Sequence, residues 1–160
     1  PITFQQFSTI LDCSVEPLPA DFSAMNDIYV IVNAVDDLTP GAYFLDARHS
    51  MLVTLERGDF RKRAAYLALE QDLAGDAAAA VFFLTDLERC LGAMGNRGYR
   101  VVQFEAGILG GRMYLGAYDQ RLGATGLTFF DDDVAEFFSP HSAGKDAIFL
   151  VAIGHAGKRP

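Results

Sequence analysis

Hydrophobic positions along the chain fall into two patterns. In some segments apolar residues recur every three or four positions, as on one face of a helix, and in others they form short β-branched or continuous runs typical of strands. The helical pattern predicts helices at residues 4–12, 59–71, 86–94, 98–122 and 131–138. The strand pattern predicts strands at residues 27–35, 42–46, 51–55, 77–84, 125–129 and 145–154.

The order of these elements indicates the fold class. Helices and strands mix without strict alternation, which favours an α+β sandwich over a doubly wound parallel sheet. The length of 160 residues fits a single domain over residues 1–160. No repeat or low-complexity linker divides the sequence.

Several predicted helices begin or end at recognisable capping residues. Thr3 and Gln6 have the spacing of a capping box, and Asp59 stands where the N-cap of the second helix is expected. Residues 131–133 place three carboxylates at the positive end of the last helix. Gly123 follows the long helix, where a glycine commonly provides the C-terminal cap.

The long predicted helix contains Gly107, Gly110, Gly111 and Gly116. Each glycine in a helix interior costs about 1 kcal/mol relative to alanine. Close packing of another helix, another subunit or a flat ligand would offset that cost. We expect close helix packing, across the axis of a dimer, with direct ligand contact as the alternative.

Composition and charge exclude several classes of function. Hydrophobic residues make up 51% and charged residues 21% of the chain, as in ordinary globular proteins. The formal net charge of −8 repels phosphate backbones, so nucleic acid is not expected as a partner. The longest apolar region, residues 101–122, contains Glu105, Arg112 and Asp119, which argues against a membrane span.

The cysteines and histidines predict neither zinc nor a disulfide. Cys13 and Cys90 are far apart in sequence and form no CxxC motif, so we expect reduced thiols in a cytoplasmic protein. His49, His141 and His155 lie in different predicted loops. No metal site is therefore predicted.

Glu105 lies inside the apolar helix and requires a partner, because an unpaired buried carboxylate is costly. Two interpretations are open. Glu105 forms an ion pair with Arg97 or Arg100, or it belongs to a buried polar network. No Ser-His-Asp or Cys-His arrangement typical of a nucleophile is visible.

An ordered set of local patterns resembles the nitroreductase family, most closely its SagB/McbC-like branch, the azoline dehydrogenases of peptide-natural-product pathways. The resemblance covers nearly the whole chain. The matching segments are Leu-Thr-Pro-Gly-Ala-Tyr at 38–43, Gly-Asp-Phe-Arg at 58–61, the run at 77–84, Arg-Gly-Tyr-Arg at 97–100, Glu-Ala-Gly at 105–107, Leu-Gly-Ala-Thr at 122–125 and Phe-Asp-Asp at 130–132.

The resemblance implies an α+β fold with a mostly antiparallel central sheet and a long core dimerisation helix. It implies an oxidoreductase that binds FMN at a homodimer interface and acts on a small-molecule substrate. Hydride would pass through flavin N5, with NAD(P)H or the substrate as donor. The redox chemistry would belong to the cofactor, so no catalytic side chain is named.

Carried over by position, the resemblance also implies the cofactor-binding residues. Gly126, Leu127, Thr128 and Phe129 would pass along the isoalloxazine, and Gln71 would face the flavin. A flavin requires backbone N–H donors near its ring and a cation near its phosphate. The residues implied to hold that phosphate are Lys158 and Arg159.

The sequence departs from the family pattern at three places. The Arg-rich N-terminal segment would lie before Pro1, and no Pro-Ser-Gly type loop precedes the first strand. The Lys-Tyr pair associated with azoline oxidation is replaced by Ala93 and Met94. These departures support an alternative, in which the chain is N-terminally truncated or the non-catalytic second half of a tandem protein and serves as a dimerisation scaffold. A third, weaker alternative is an unrelated α+β ligand-binding domain.

Overall fold

The computed structural model describes residues 1–22 and 24–157. Within them a six-stranded sheet has the strand order β3-β2-β1-β4-β6-β5. Each pair of neighbouring strands is antiparallel. The strands are β1 (Asp27–Val32), β2 (Gly41–Asp46), β3 (Met51–Arg57), β4 (Ala79–Thr85), β5 (Gly123–Gly126) and β6 (Asp146–Gly154).

Helices cover both faces of this sheet, which confirms the predicted α+β sandwich. The five-residue helix at 72–76 was not predicted, because it is too short to show a helical period. The helices are α1 (Phe4–Val15), α2 (Arg61–Leu67), α3 (Asp72–Asp76), α4 (Leu87–Met94), α5 (Arg97–Asp119) and α6 (Asp131–Phe137).

Two hydrophobic cores lie on opposite faces of the sheet. On one face α1, α4 and α5 bury residues such as Phe7, Val102 and Met113 against the strands. On the other face α2, α3 and α6 bury a second set, which includes Leu67 and Val134. All seven residues of β4 are buried, which explains why this strand reads as a continuous apolar run.

The N-terminal capping predictions agree with the structure for α1 and shift by one residue for α2. Thr3 Oγ1 accepts a hydrogen bond from Gln6 N at 3.1 Å, and Gln6 Oε1 accepts one from Thr3 N at 3.0 Å, which confirms the capping box. The N-cap of α2 is Phe60, although Asp59 Oδ1 still accepts a hydrogen bond from Arg61 N at 3.0 Å.

The predicted end of the second helix is wrong. Helix α2 ends at Leu67, so Gln71 does not belong to it. Leu69 and Glu70 adopt left-handed backbone conformations, with φ of 55° and 58°. Gln71 is instead the N-cap of α3.

The predicted glycine cap of the long helix is also wrong. Arg121, with φ of 60°, supplies the left-handed residue after α5, and Leu122 N donates to Ala117 O at 2.8 Å. Gly123 is therefore free to start β5. This strand ends at Gly126, three residues before its predicted end, and Leu127 N still donates one hydrogen bond to Leu150 O of β6 before the pairing stops.

The glycines of α5 differ in their surroundings within the chain, and their predicted packing across a dimer axis stays a prediction. A Cβ at Gly110 would lie 2.5 Å from the Phe149 ring, and one at Gly116 would contact Ile10 of α1 at 3.6 Å. At Gly107 and Gly111 a Cβ would meet no atom of the described residues within 4 Å. These two positions lie on the solvent side of the helix.

None of the helices in the described part of the chain has the length and apolarity of a membrane span.

The contact between α4 and α5 yields a testable prediction. A Cβ at Gly98 would lie 2.6 Å from the backbone oxygen of Cys90, whereas one at Gly92 would meet no described atom within 4 Å. We expect Gly98→Ala to lower the free energy of unfolding by about 1–3 kcal/mol, because the backbone must shift. The matched control Gly92→Ala should raise it by up to about 1 kcal/mol. Urea denaturation measures both, and equal effects would contradict this packing.

Candidate functional site

The structure brings Gln71 and Thr128 together, although they are 57 residues apart in sequence. Gln71 Nε2 lies 2.6 Å from Ala68 O and 3.2 Å from Thr128 Oγ1, and both atoms are acceptors. Thr128 O is a longer contact at 3.4 Å. The corner between α2 and α3 therefore meets the segment that follows β5.

Two further hydrogen bonds join the same parts of the chain. Phe130 N donates to Leu67 O at 2.9 Å, and the Tyr66 hydroxyl donates to Asp133 Oδ2 at 2.7 Å. The Tyr66 and Phe130 rings are 5.4 Å apart, and the Arg63 guanidinium lies 5.0 Å from the centre of the Tyr66 ring. The hydrogen bond to Asp133 also raises the pKa of Tyr66. The segment after β5 is thus held by several independent contacts.

The backbone amides of residues 126–129 divide into two pairs. Gly126 N donates to the Tyr114 hydroxyl of α5, and Leu127 N donates to Leu150 O at 3.1 Å. Within residues 1–22 and 24–157, the amides of Thr128 and Phe129 meet no acceptor. Only these two amides can donate to a ligand without first breaking a hydrogen bond.

Gly126 is required by close packing beside this segment. A Cβ there would lie 3.1 Å from two atoms of the Phe149 ring and 3.3 Å from the Tyr114 hydroxyl. A larger residue would push the segment away from α5 and β6.

Lys158 and Arg159 lie outside the described residues, so their predicted role as a phosphate anchor stays a prediction. The end of β6 approaches the other chain terminus, since His155 Nε2 lies 2.9 Å from Pro1 O.

Glu105 belongs to a polar network and not to an ion pair among the described residues. The residue is 3% exposed, and its Oε2 accepts hydrogen bonds from Met25 N at 2.9 Å, Asn26 N at 2.8 Å and Asn26 Nδ2 at 2.8 Å. Of the two open interpretations, the network is therefore correct, and Arg97 and Arg100 are both exposed. Glu105 ties the loop before β1 to the long helix.

A cavity of about 1030 Å³ lies beside this loop. It adjoins the start of β1 and the end of β2, whereas the Gln71–Thr128 contact follows the edge strand β5. Ala93 and Met94 line the cavity, so no general base stands at the position where the resemblance places a Lys-Tyr pair. Cys90, also in the lining, is buried, with Sγ 3.7 Å from Thr85 Oγ1.

A cluster of titratable groups that the sequence analysis missed joins β1 to the turn before β6. Lys145 Nζ lies 2.8 Å from both Asp27 Oδ2 and the Tyr29 hydroxyl, and that hydroxyl lies 2.9 Å from His141 Nδ1. Tyr29 is 0% exposed, whereas Lys145 and Asp27 are partly exposed. The sequence signal for this cluster was a polar residue near the start of β1 and another before β6. Their contact depends on the strand register.

The surroundings shift the pKa values of this cluster. Burial raises the pKa of Tyr29 and lowers that of His141, and the Lys145 charge lowers the His141 pKa further. Burial alone would lower the pKa of Lys145, but its hydrogen bonds to Asp27 and Tyr29 outweigh that effect and raise it.

No group of three or more His, Cys, Asp or Glu side chains within residues 1–22 and 24–157 is arranged to hold a metal ion.

A model of the nitroreductase family matches residues 1–155. The chain belongs to the nitroreductase family. This confirms the family that the sequence motifs indicated. No curated protein matches the chain significantly by sequence.

Several solved structures have the same fold. A protein from Anabaena variabilis described as a nitroreductase is 28% identical, with a TM-score of 0.90 over 98% of this chain and 34% of its own. The Escherichia coli microcin synthetase McbBCD, with truncated pro-MccB17 bound, is 14% identical, with a TM-score of 0.82 over 98% of this chain and 65% of that one. The NADPH:FMN oxidoreductase from Vibrio harveyi, in complex with NAD⁺, is 17% identical, with a TM-score of 0.70 over 100% and 63%.

The chain spans about a third of the Anabaena protein and just under two thirds of the other two. At these identities the last two comparisons show a shared fold.

The His141 contact predicts a pH dependence of stability. The pKa of His141 is lower in the folded protein than in the unfolded chain, so the unfolded chain takes up the proton first as the pH falls. The contribution of His141 to the free energy of unfolding is therefore lost as the pH falls below about 6.5. We expect the difference in unfolding free energy between the wild type and His141→Asn to be largest near pH 8 and to shrink towards pH 5. A difference that stays constant over that range in chemical denaturation would contradict the prediction.

Proposed function

We propose that this member of the nitroreductase family works as an FMN-dependent oxidoreductase on a small-molecule substrate, with residues 1–160 acting as one domain. Membership of the family supports a general role in flavin oxidoreduction. The observation that carries the proposal is the meeting of Gln71 with Thr128 beside two backbone amides, those of Thr128 and Phe129, that meet no described acceptor.

The residues fit the ring end of the cofactor. An isoalloxazine edge presents both hydrogen-bond donors and acceptors, so it needs complementary groups that are not already engaged. The Thr128 and Phe129 amides would donate to it. Gln71 Oε1, which accepts no hydrogen bond from the described residues, would accept from it. Leu127 and Phe129 are partly buried against the core and would keep this segment rigid.

Lys158 and Arg159 are proposed to hold the FMN phosphate. The phosphate is anionic and the chain is acidic overall, so a cation must stand close to the phosphate. When bound, FMN would supply the hydride chemistry, with NAD(P)H or the substrate as donor. The part of this chain is to bind and orient the ring. We also propose a cytoplasmic location, because both cysteines are free thiols.

A dimer is part of the proposal and is supported by the outer face of α5. Phe104, Leu115 and Tyr118 are 63%, 70% and 56% exposed, at spacings that place them on one face. Gly107 and Gly111 lie between them and leave open space above the helix. An apolar helical face with small residues at its centre suits a second helix, from another copy of the chain or from a tandem nitroreductase-like domain.

A second candidate function is a non-catalytic half that keeps the fold and the dimerisation helix without flavin. The observation in its favour is that Ala93 and Met94 line the cavity where the resemblance places two polar residues.

FMN binding distinguishes these two functions. We expect FMN to co-elute with the chain in gel filtration and its fluorescence to change on binding. Gln71→Ala should weaken FMN binding about tenfold, because one hydrogen bond to the ring is lost and its partner Thr128 is released. Gln5→Ala is the matched control, since Gln5 is exposed on α1 and accepts only through its backbone oxygen.

A colourless chain that does not bind added FMN would contradict the oxidoreductase proposal and support the non-catalytic half. Equal FMN binding by the wild type and both variants would support FMN as the cofactor but contradict a role for Gln71 in binding it.

The dimer proposal predicts that Leu115→Glu dissociates the protein. A charge on the α5 face would have to be buried without a partner, so the sedimentation coefficient should fall to that of a monomer. Met51→Glu, on β3, replaces a side chain that is 55% exposed and should leave the assembly unchanged. A wild type that sediments as a monomer at all concentrations would refute the dimer.

A further inference from the structure

The corner that carries Gln71 contains an unusual backbone conformation. Leu69 and Glu70 are consecutive residues with φ of 55° and 58°. Left-handed conformations are uncommon for residues other than glycine because the Cβ crowds the backbone. Strained backbone of this kind persists only where the surrounding structure holds it.

The side chains of these two residues do not compensate for the strain. Leu69 is 39% exposed, and Glu70 is exposed as well. Within the described part of the chain, no hydrogen bond or salt bridge involves the Glu70 carboxylate. The benefit of the conformation must therefore lie in what it does to neighbouring residues.

The left-handed pair changes the direction of Gln71. If α2 continued, Gln71 would stand four residues after Leu67 and face the same side of the helix. Leu67 is 0% exposed and points into the core, so the amide would be directed towards apolar side chains. After the turn, Gln71 has an extended backbone and its side chain reaches Ala68 O and Thr128.

The other side of the corner is fixed independently. Arg61 donates to Gly75 O at 2.9 Å and to Asn33 O at 3.0 Å, which holds α3 against the end of β1. Asn33 Nδ2 lies 3.1 Å from Ala77 O, where it donates a further hydrogen bond. With both α2 and α3 anchored, the short link between them has few alternatives to the left-handed path.

We propose that Leu69 and Glu70 form a positioning element that directs the Gln71 amide onto Thr128 and so preorganises the ring end of the cofactor site. The proposal rests on the proposed function and names the residues that determine the geometry of that site. A glycine pair would follow the same path with less strain but would also allow many others, so Gln71 would be held less firmly.

The test compares Leu69→Gly/Glu70→Gly with two reference variants of the full chain. Arg121→Gly is the matched control, because Arg121 has φ of 60° but follows α5 and does not border Gln71. Leu69→Asn/Glu70→Asn is the rescue variant, since asparagine tolerates the left-handed region and keeps a Cβ.

The first readout needs no cofactor. The side-chain amide protons of Gln71 should exchange slowly with solvent in the wild type, as seen by NMR, because they are hydrogen-bonded. In the double-glycine variant they should exchange at least about tenfold faster, the loss of roughly one hydrogen bond. The Arg121→Gly and double-asparagine variants should match the wild type.

The second readout is FMN affinity alongside thermal stability. We expect the double-glycine variant to keep the wild-type melting temperature or exceed it, while its FMN dissociation constant rises about tenfold. Arg121→Gly should keep both the affinity and the melting temperature. If Leu69 and Glu70 had a merely structural role, the double-glycine variant would be less stable, and its Gln71 side-chain amide protons would exchange only as fast as global unfolding allows.

Unchanged Gln71 exchange in the double-glycine variant would overturn the inference, as would an equal loss of FMN affinity in Arg121→Gly. If the wild-type chain binds no FMN, the proposed function fails, and the NMR readout still decides whether Leu69 and Glu70 position Gln71.

Discussion

The burial of strand β4 on both faces is the constraint on which the rest of the molecule depends. All seven of its residues are buried, so neither face of the sheet can be left to water at this point. Helices must therefore cover both sides, which produces the two cores around α5 and around α2 and α6. Because β4 pairs with β1 and β6, the remaining strands extend outwards to the edge strands β3 and β5. The candidate cofactor site lies beyond β5, where both helical layers reach the same edge.

Buried and partly buried polar side chains then fix the loops that the hydrophobic layers leave undetermined. Glu105 holds the loop before β1 through three donors, and Lys145 joins the start of β1 to the turn before β6. Arg61 and Asn33 secure α3 in the same way. A hydrogen bond is worth most where water is excluded, and an unpaired group there is costly. These contacts therefore specify one arrangement of each loop, including the corner that carries Gln71.

The sequence predicted the elements whose hydrophobic pattern is strong and whose ends have local signals. The capping box of Thr3 and Gln6, the run that became β4 and the long helix α5 are examples. It failed where tertiary contacts overrode local preference. Gly123 was expected to cap α5, but Arg121 took the left-handed conformation, and Gly123 is the first residue of β5.

The glycines of α5 show the same division. Their number indicated that something approaches the helix closely, yet only the packed structure separates Gly110, against Phe149, from Gly111, which faces open space. The first is explained by the fold of a single chain. The second is explained by the proposed dimer.

By itself the sequence determined the types of the main elements, the family and the segments that contain the candidate cofactor residues, because periodicity, capping and ordered motifs are local properties. Only the tertiary structure decided that Gln71 meets Thr128, that Glu105 binds the loop before β1, and that Tyr29, Lys145 and His141 form one cluster. Each of these contacts joins residues far apart in the chain. Their partners are selected by strand register and by chain reversals, and no local pattern encodes those.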